Sequence, residues 1–165
     1  MQQLYQQIIL DHSKNPIGAG LALEYDTQVR HVNPTCGDEI LLRARVRDGV
    51  VTQISHDAQG CSISVASASV MTDLVSGQSV QSALERYDAM LAMLQTRDGT
   101  EPDEDVLGDA VAFSGVAKFP ARVKCALLPW VAMKEAVIEA QAGPGTGNPP
   151  PTETDSPPSP GGDAS

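Results

Sequence analysis

Leu42, Ala44 and Val46 alternate with Arg43, Arg45 and Arg47, an Asp48-Gly49 pair follows, and from Cys61 onward the apolar residues recur at helical spacing. A period of two on both sides of an Asp-Gly pair marks a β-hairpin, because that pair adopts the positive φ angles of a two-residue turn. One face of the hairpin is polar, so the sheet is expected to be antiparallel and covered on a single side. Glu24 to Val32 reads as a preceding strand, and Val50 to Ala58 is the return. Strands followed by helices give an α+β fold.

The helices are bounded by their own punctuation. Leu4, Ile8 and Ile9 give a short opening helix that Asn15-Pro16-Ile17-Gly18 ends. After Cys61, a stripe of Ile63, Ala66 or Ser67, Val70 and Leu74 runs to a stop at Gly77. Ser79 or Ser82 caps a second helix whose buried face is Leu84, Tyr87, Leu91 and Leu94. Val106 to Ala112 starts another segment, and Ala121 to Ala140 is a long helix carrying Val123, Leu127, Trp130 or Val131, and Val137 or Ile138. Pro129 is expected to bend it about one turn after Cys125.

The chain has 165 residues, a 41% apolar content and room for one domain, expected over residues 1–142. Residues 143–165 hold seven of the twelve prolines and no large apolar side chain, a composition that buries too little to offset ordering, so a disordered Pro/Gly-rich tail is expected. The formal charge is -10, and residues 1–142 still carry eleven basic against eighteen acidic groups, which excludes nucleic acid as the main partner. Six acids crowd between Asp98 and Asp109; without the ligand spacing of a calcium loop they read as a solvated loop. No apolar run reaches spanning length and the N-terminus lacks signal-peptide order, so no membrane partner and a cytoplasmic location are expected.

Three cysteines without a CxxC pair, in a reducing compartment, fit metal or nucleophile chemistry rather than a disulfide frame. Cys36 lies in a Pro/Gly turn, Cys61 follows Gly60 at a helix start, and Cys125 rides a helix beside Arg122 and Lys124. With the carboxylate of Asp38, two residues after Cys36, they make a complete tetrahedral ligand set for zinc. The helix start offers free N–H groups and a positive dipole end to the Cys61 thiolate. A lone cysteine is ordinarily a small buried hydrophobe, but the turn around Cys36 and the basic residues around Cys125 do not look like core.

Among the histidines, His12 closes the first helix and His31 and His56 lie on strands; His56, with Gly60-Cys61 close behind, is the best placed of them to reach a metal. The Arg43, Arg45, Arg47 stripe reads as a solvated strand face, or alternatively as a docking surface for an acidic partner.

Leu4-Tyr5 through Ile8-Leu10-Asp11-His12, Asn15-Pro16, Asn33-Pro34-Thr35-Cys36-Gly37-Asp38, Gly60-Cys61-Ser62-Ile63-Ser64 and Ala66-Ser67-Ala68-Ser69 closely resemble the IscU/NifU N-terminal family of iron-sulfur cluster assembly proteins. The resemblance covers about residues 1 to 141 and implies a small antiparallel sheet of about three strands with helices packed on one face. Within the family the chain is similar to the SufU-type branch. Scaffold members carry a histidine before the third cysteine where Lys124 stands here, the Cys61–Cys125 segment resembles the SufU-type insertion, and Phe119-Pro120-Ala121-Arg122-Val123-Lys124 only partly matches the scaffold chaperone motif.

This resemblance implies a zinc-dependent sulfurtransferase, or sulfur carrier, that accepts persulfide sulfur from a SufS-type cysteine desulfurase and passes it to downstream iron-sulfur assembly proteins. It implies that Cys36, Asp38, Cys61 and Cys125 hold Zn2+, that Cys36 is the acceptor thiolate, and that Arg122 assists docking or transfer. Metal binding keeps Cys36 a thiolate but blunts it, so transfer needs a moment when that bond is released. An iron-sulfur cluster scaffold of IscU type and a non-catalytic structural zinc module are the alternatives.

Overall fold

A computed structural model of the chain describes residues 2–34, 37–95 and 104–142. The opening helix α1 spans Gln2–Lys14 and leads to β1 (Thr27–Asn33), β2 (Asp38–Arg47) and β3 (Val50–Gln59), a three-stranded antiparallel sheet in the order β1-β2-β3. Asp48 and Gly49 turn the hairpin with φ of 55° and 76°, the positive pair that the Asp-Gly spacing calls for. Helices α2 (Ser62–Val75), α3 (Val80–Gln95) and α4 (Glu104–Leu107) follow, then a 3₁₀ segment Gly108–Lys118 and the long helix α5 (Pro120–Ala142).

The strand alternation decides which face is covered. Ile40, Leu42, Ala44 and Val46 of β2 point inward with Val29 of β1 and Ile54 of β3, and α5 lies across β1 and β2. Each large aliphatic chain so buried contributes about 1.5–3 kcal/mol. Trp130, Phe113, Met71 and Met133 fill the space between the sheet and the helices. The α+β expectation, the three strands and the single covered face are all present, with β1 beginning three residues later than Glu24.

The arginine stripe is partly covered, with Arg43 and Arg45 half-buried and Arg47 exposed. Residues 22–26 lie over it: Arg43 donates to the Ala22 carbonyl at 2.8 Å and stacks over Tyr25, Arg45 pairs with Glu24 at 3.0 Å, and Arg47 pairs with Asp26. Sequence spacing shows the stripe but not a strap arriving from twenty residues upstream.

The helix faces also turn out differently. In α2, Ser64 and every residue from Ala66 to Thr72 are buried, whereas Ile63 and Leu74 are only half-buried, because α1 and α5 both pack against this helix. Its small Ala and Ser residues are what let two helices approach at once. In α3 the cap is Ser79, whose Oγ accepts the Ser82 N–H at 3.0 Å, and the buried face is Val80, Ala83, Tyr87, Met90, Met93 and Leu94, with Leu84 and Leu91 at its margin. Helix α5 runs through Pro129 as one element; Trp130 and Val137 are buried as expected, Val123, Leu127 and Val131 are half-buried, and Ile138 is exposed. The segment expected from Val106 to Ala112 extends to Lys118.

Of the acidic loop, Asp98, Glu101 and Asp103 lie outside the described residues, and Glu104 and Asp105 are exposed at the start of α4. The tail of residues 143–165 also lies outside the described residues. Among the described residues no helix is long and apolar enough to cross a membrane.

Candidate metal centre

β2 starts at Asp38 and α2 starts immediately after Cys61, so both residues stand where an element meets its connection. The alternation that buries Ile40 and Leu42 also drives Asp38 inward, to 0% exposure. Its Oδ1 accepts the Cys61 backbone N–H at 2.9 Å, leaving Oδ2 at 3.8 Å from Cys61 Sγ. Cys125, in the second turn of α5, brings a sulfur to the same point.

The Asp38 oxygen and the sulfurs of Cys61 and Cys125 all lie within 4.8 Å of one another. Around a tetrahedral zinc, with bonds of about 2.0–2.3 Å, ligand atoms stand roughly 3.3–3.8 Å apart, so these three need only close slightly onto an ion. The donor set is chemically suited as well. A buried carboxylate needs a compensating cation, and among the described residues no ion pair joins Asp38 to a basic side chain.

Several neighbours steady the ligands. Asn33 faces Asp38 across the β1–β2 pair and directs its Nδ2 at Cys125 Sγ, 4.0 Å away. The Ala121 carbonyl lies 3.7 Å from the same sulfur. Ser64 donates its hydroxyl to the Cys61 carbonyl at 3.0 Å and places its Oγ 3.9 Å from Cys61 Sγ. Sequence reading passed over Asn33 and Ser64. For Asn33 the signal was its place in the Asn33-to-Asp38 turn, since a tight turn sets its two ends side by side.

Cys125 is fully buried, contrary to the impression left by its basic sequence neighbours. Each helical residue turns about 100° from the last, so Lys124 is exposed while Cys125 faces inward; Arg122 lies one turn earlier, in the first turn of α5, and is exposed there. Cys36 lies outside the described residues; of its turn, Gly37 is seen donating its N–H to the Asn33 carbonyl at 2.9 Å.

None of the histidines joins the group. His56 is buried on the helix-covered face of the sheet, where its Nε2 donates to the Ile17 carbonyl at 2.8 Å and burial pushes its pKa down. His12 sits between Ser69 Oγ at 2.7 Å and Asp109 at 3.0 Å, and His31 pairs with Glu135. His56 lies only five residues before Cys61, but β3 carries it away from the corner.

The described family that matches the chain is the NifU-like N-terminal domain, over residues 4–126. The chain belongs to that family. One relative of this NifU-like domain, the zinc-dependent sulfurtransferase SufU of Bacillus subtilis (strain 168), is 41% identical over 144 residues, covering 87% of this chain and 95% of that protein. Another, the iron-sulfur cluster assembly scaffold protein IscU of Streptococcus pyogenes serotype M1, is 41% identical over 137 residues, 83% of this chain and 84% of its own length.

Solved structures agree on the NifU-like fold. The crystal structure of FiSufU of Fervidobacterium islandicum AW-1, described as an iron-sulfur cluster assembly scaffold protein for the SUF system, superposes with a TM-score of 0.74 at 33% identity, covering 82% of this chain and 98% of that one. A NifU-like N-terminal protein of Brucella abortus gives 0.77 at 27% identity, covering 86% and 96%.

Proposed function

We propose that this NifU-like chain is a zinc-dependent sulfur carrier of the SufU type, working in the cytoplasm with a SufS-type cysteine desulfurase and stimulating it. The observation that carries this reading is the convergence of Asp38, Cys61 and Cys125, from β2, the start of α2 and α5, into one group of zinc-type ligands. Cys36 is the fourth ligand and the sulfur acceptor. Bound zinc would hold the cysteine sulfurs as thiolates at neutral pH.

In the transfer, the Cys36 thiolate attacks the terminal sulfur of the desulfurase persulfide. A new Cys36 Sγ–S bond forms as the S–S bond to the enzyme breaks, and the enzyme cysteine leaves as a thiolate, so no outside oxidant is needed. Asp38 and Cys125 are fully buried on β2 and α5, and Cys61 adjoins the start of α2, whereas Cys36 stands between Pro34 and Gly37 in the sequence, a composition that reads as a turn. A Pro/Gly turn sequence is released at lower cost than a buried strand or helix position, which favours Cys36 as the group that leaves the metal. The exposure of Arg122, one turn before Cys125, supports a role for it in docking or sulfur transfer.

Metal analysis of the purified protein, followed by incubation with desulfurase and cysteine and peptide mass spectrometry, tests the reading. Zinc at about one per chain and an added sulfur on the Cys36 peptide are expected, with Cys36→Ala abolishing stimulation. Sulfur on Cys125 instead, or a brown protein after reconstitution with iron and sulfide, would favour the IscU-type scaffold reading, which the equally similar streptococcal relative keeps in view.

A further inference from the structure

We infer that Gly60 is a positioning residue for the Asp38 ligand, the residue that allows its carboxylate to lie under the β3–α2 corner. The inference rests on the zinc reading of the Asp38, Cys61 and Cys125 group, and it concerns a residue that offers no ligand atom of its own.

The corner is tight. Gly60 joins β3 to the Cys61 helix start with φ of 141°, a conformation that other L-residues rarely adopt. A β-carbon built there would stand 2.0 Å from Asp38 Oδ1, 2.7 Å from its Cγ and 2.9 Å from its Cα. The oxygen it would strike is the one that accepts the Cys61 N–H at 2.9 Å. Asp38 is completely buried, so its carboxylate has no open space to retreat into.

One missing methyl group therefore fixes two things together. The Cys61 N–H holds Oδ1, and this hold aims Oδ2 toward Cys61 Sγ, 3.8 Å away, as a single-oxygen ligand beside the sulfur. With a side chain at position 60 the carboxylate must rotate or move out, losing the Cys61 N–H and its aim at the same moment.

A double-mutant cycle tests this with full-length wild type, Gly60→Ala, Asp38→Ala and the double variant, using competition with a chromophoric chelator to read zinc affinity. Gly60→Ala should weaken zinc by about tenfold or more in the wild-type background, as loss of a ligand-orienting group does. With Asp38 already shortened the same change should cost less than about threefold, because the two act as one unit. The residual approach to the Asp38 Cα is common to both backgrounds and cancels. Equal losses in both backgrounds, or none in the wild type, would overturn the proposal.

Melting of the chelator-treated proteins by far-UV circular dichroism gives a second readout, independent of metal. Should Gly60→Ala fail to fold, Gly60→Ala/Asp38→Gly decides. Folding of that double variant supports the steric relationship, and its failure when Asp38→Gly alone folds overturns it. A wild type that takes up no zinc would sink the proposed function, while the melting comparison would still decide the role of Gly60.

Discussion

Ser67 donates its hydroxyl to the carbonyl of Ala126 at 2.5 Å, joining the helix that starts after Cys61 to the helix that carries Cys125 one residue earlier. Both residues are completely buried. The bond therefore sets the separation of two ligand-bearing helices, next to the turn where Pro129 supplies no N–H to the helix.

Ser67→Ala leaves that buried carbonyl without its hydroxyl donor. The Ala126 carbonyl keeps its place within helix α5, so the loss expected is that of one ordinary hydrogen bond, about 0.5–1.5 kcal/mol, read as a lower urea midpoint with unchanged m-value. Zinc should bind more weakly as well, and Ser67→Thr should recover part of both effects.

Asp38→Asn and Asp38→Ala should separate the two duties of Asp38. Asn keeps an oxygen for the Cys61 N–H but brings no charge to the metal; Ala keeps neither. Both should weaken zinc by at least about tenfold. In the metal-free state Asp38→Asn should melt at or above wild type, because a buried uncompensated carboxylate has been removed, whereas Asp38→Ala should melt below Asp38→Asn. Chelator competition and calorimetry check the two halves.

His56 predicts a pH dependence. Burial lowers its pKa in the folded chain from the ordinary value of 6.5, against weaker raising by the Ile17 carbonyl and Asp57. The unfolded chain therefore takes up a proton below about pH 6.5 that the folded chain refuses, so this stability is present above that pH and is lost as pH falls. The slope can reach about 1.4 kcal/mol per pH unit for one proton. Glu139 works in the opposite sense, its pKa raised chiefly by burial. Urea midpoints of the chelated protein between pH 7.5 and 5.5 should fall, and His56→Gln should flatten the fall.

Removing residues 143–165 should leave both melting temperature and zinc content as they were, because α5 ends at Ala142 and the tail offers no large apolar side chain. A drop in either would show that the tail docks.

The sheet was legible because alternation and an Asp-Gly turn are local signals, and the meeting of Asp38 with Cys61 was legible because both stand at element boundaries that punctuation marks. Burial of Cys125 was not, since exposed basic residues, Arg122 and Lys124, flank it in the sequence. The faces of α2 and α3 were found in part, with Ala66, Val70, Tyr87 and Leu94 buried as expected. Periodicity finds the large aliphatic residues, but Ser64, Ala68, Met90 and Met93 are buried by the helices that close over them. The fate of Arg43, Arg45 and Arg47 depended on a strap whose pairing no local pattern announces.

Asp38 and Cys61 stand 23 positions apart along the chain, and Asn33 reaches Cys125 across 92. No short piece of the polypeptide can assemble these groups, so during synthesis the ion has nowhere to settle until α5 has emerged and closed over the sheet. Metal uptake at this site would then follow the closing of α5, and a chain halted before its final helix would lack one of the three converging ligands.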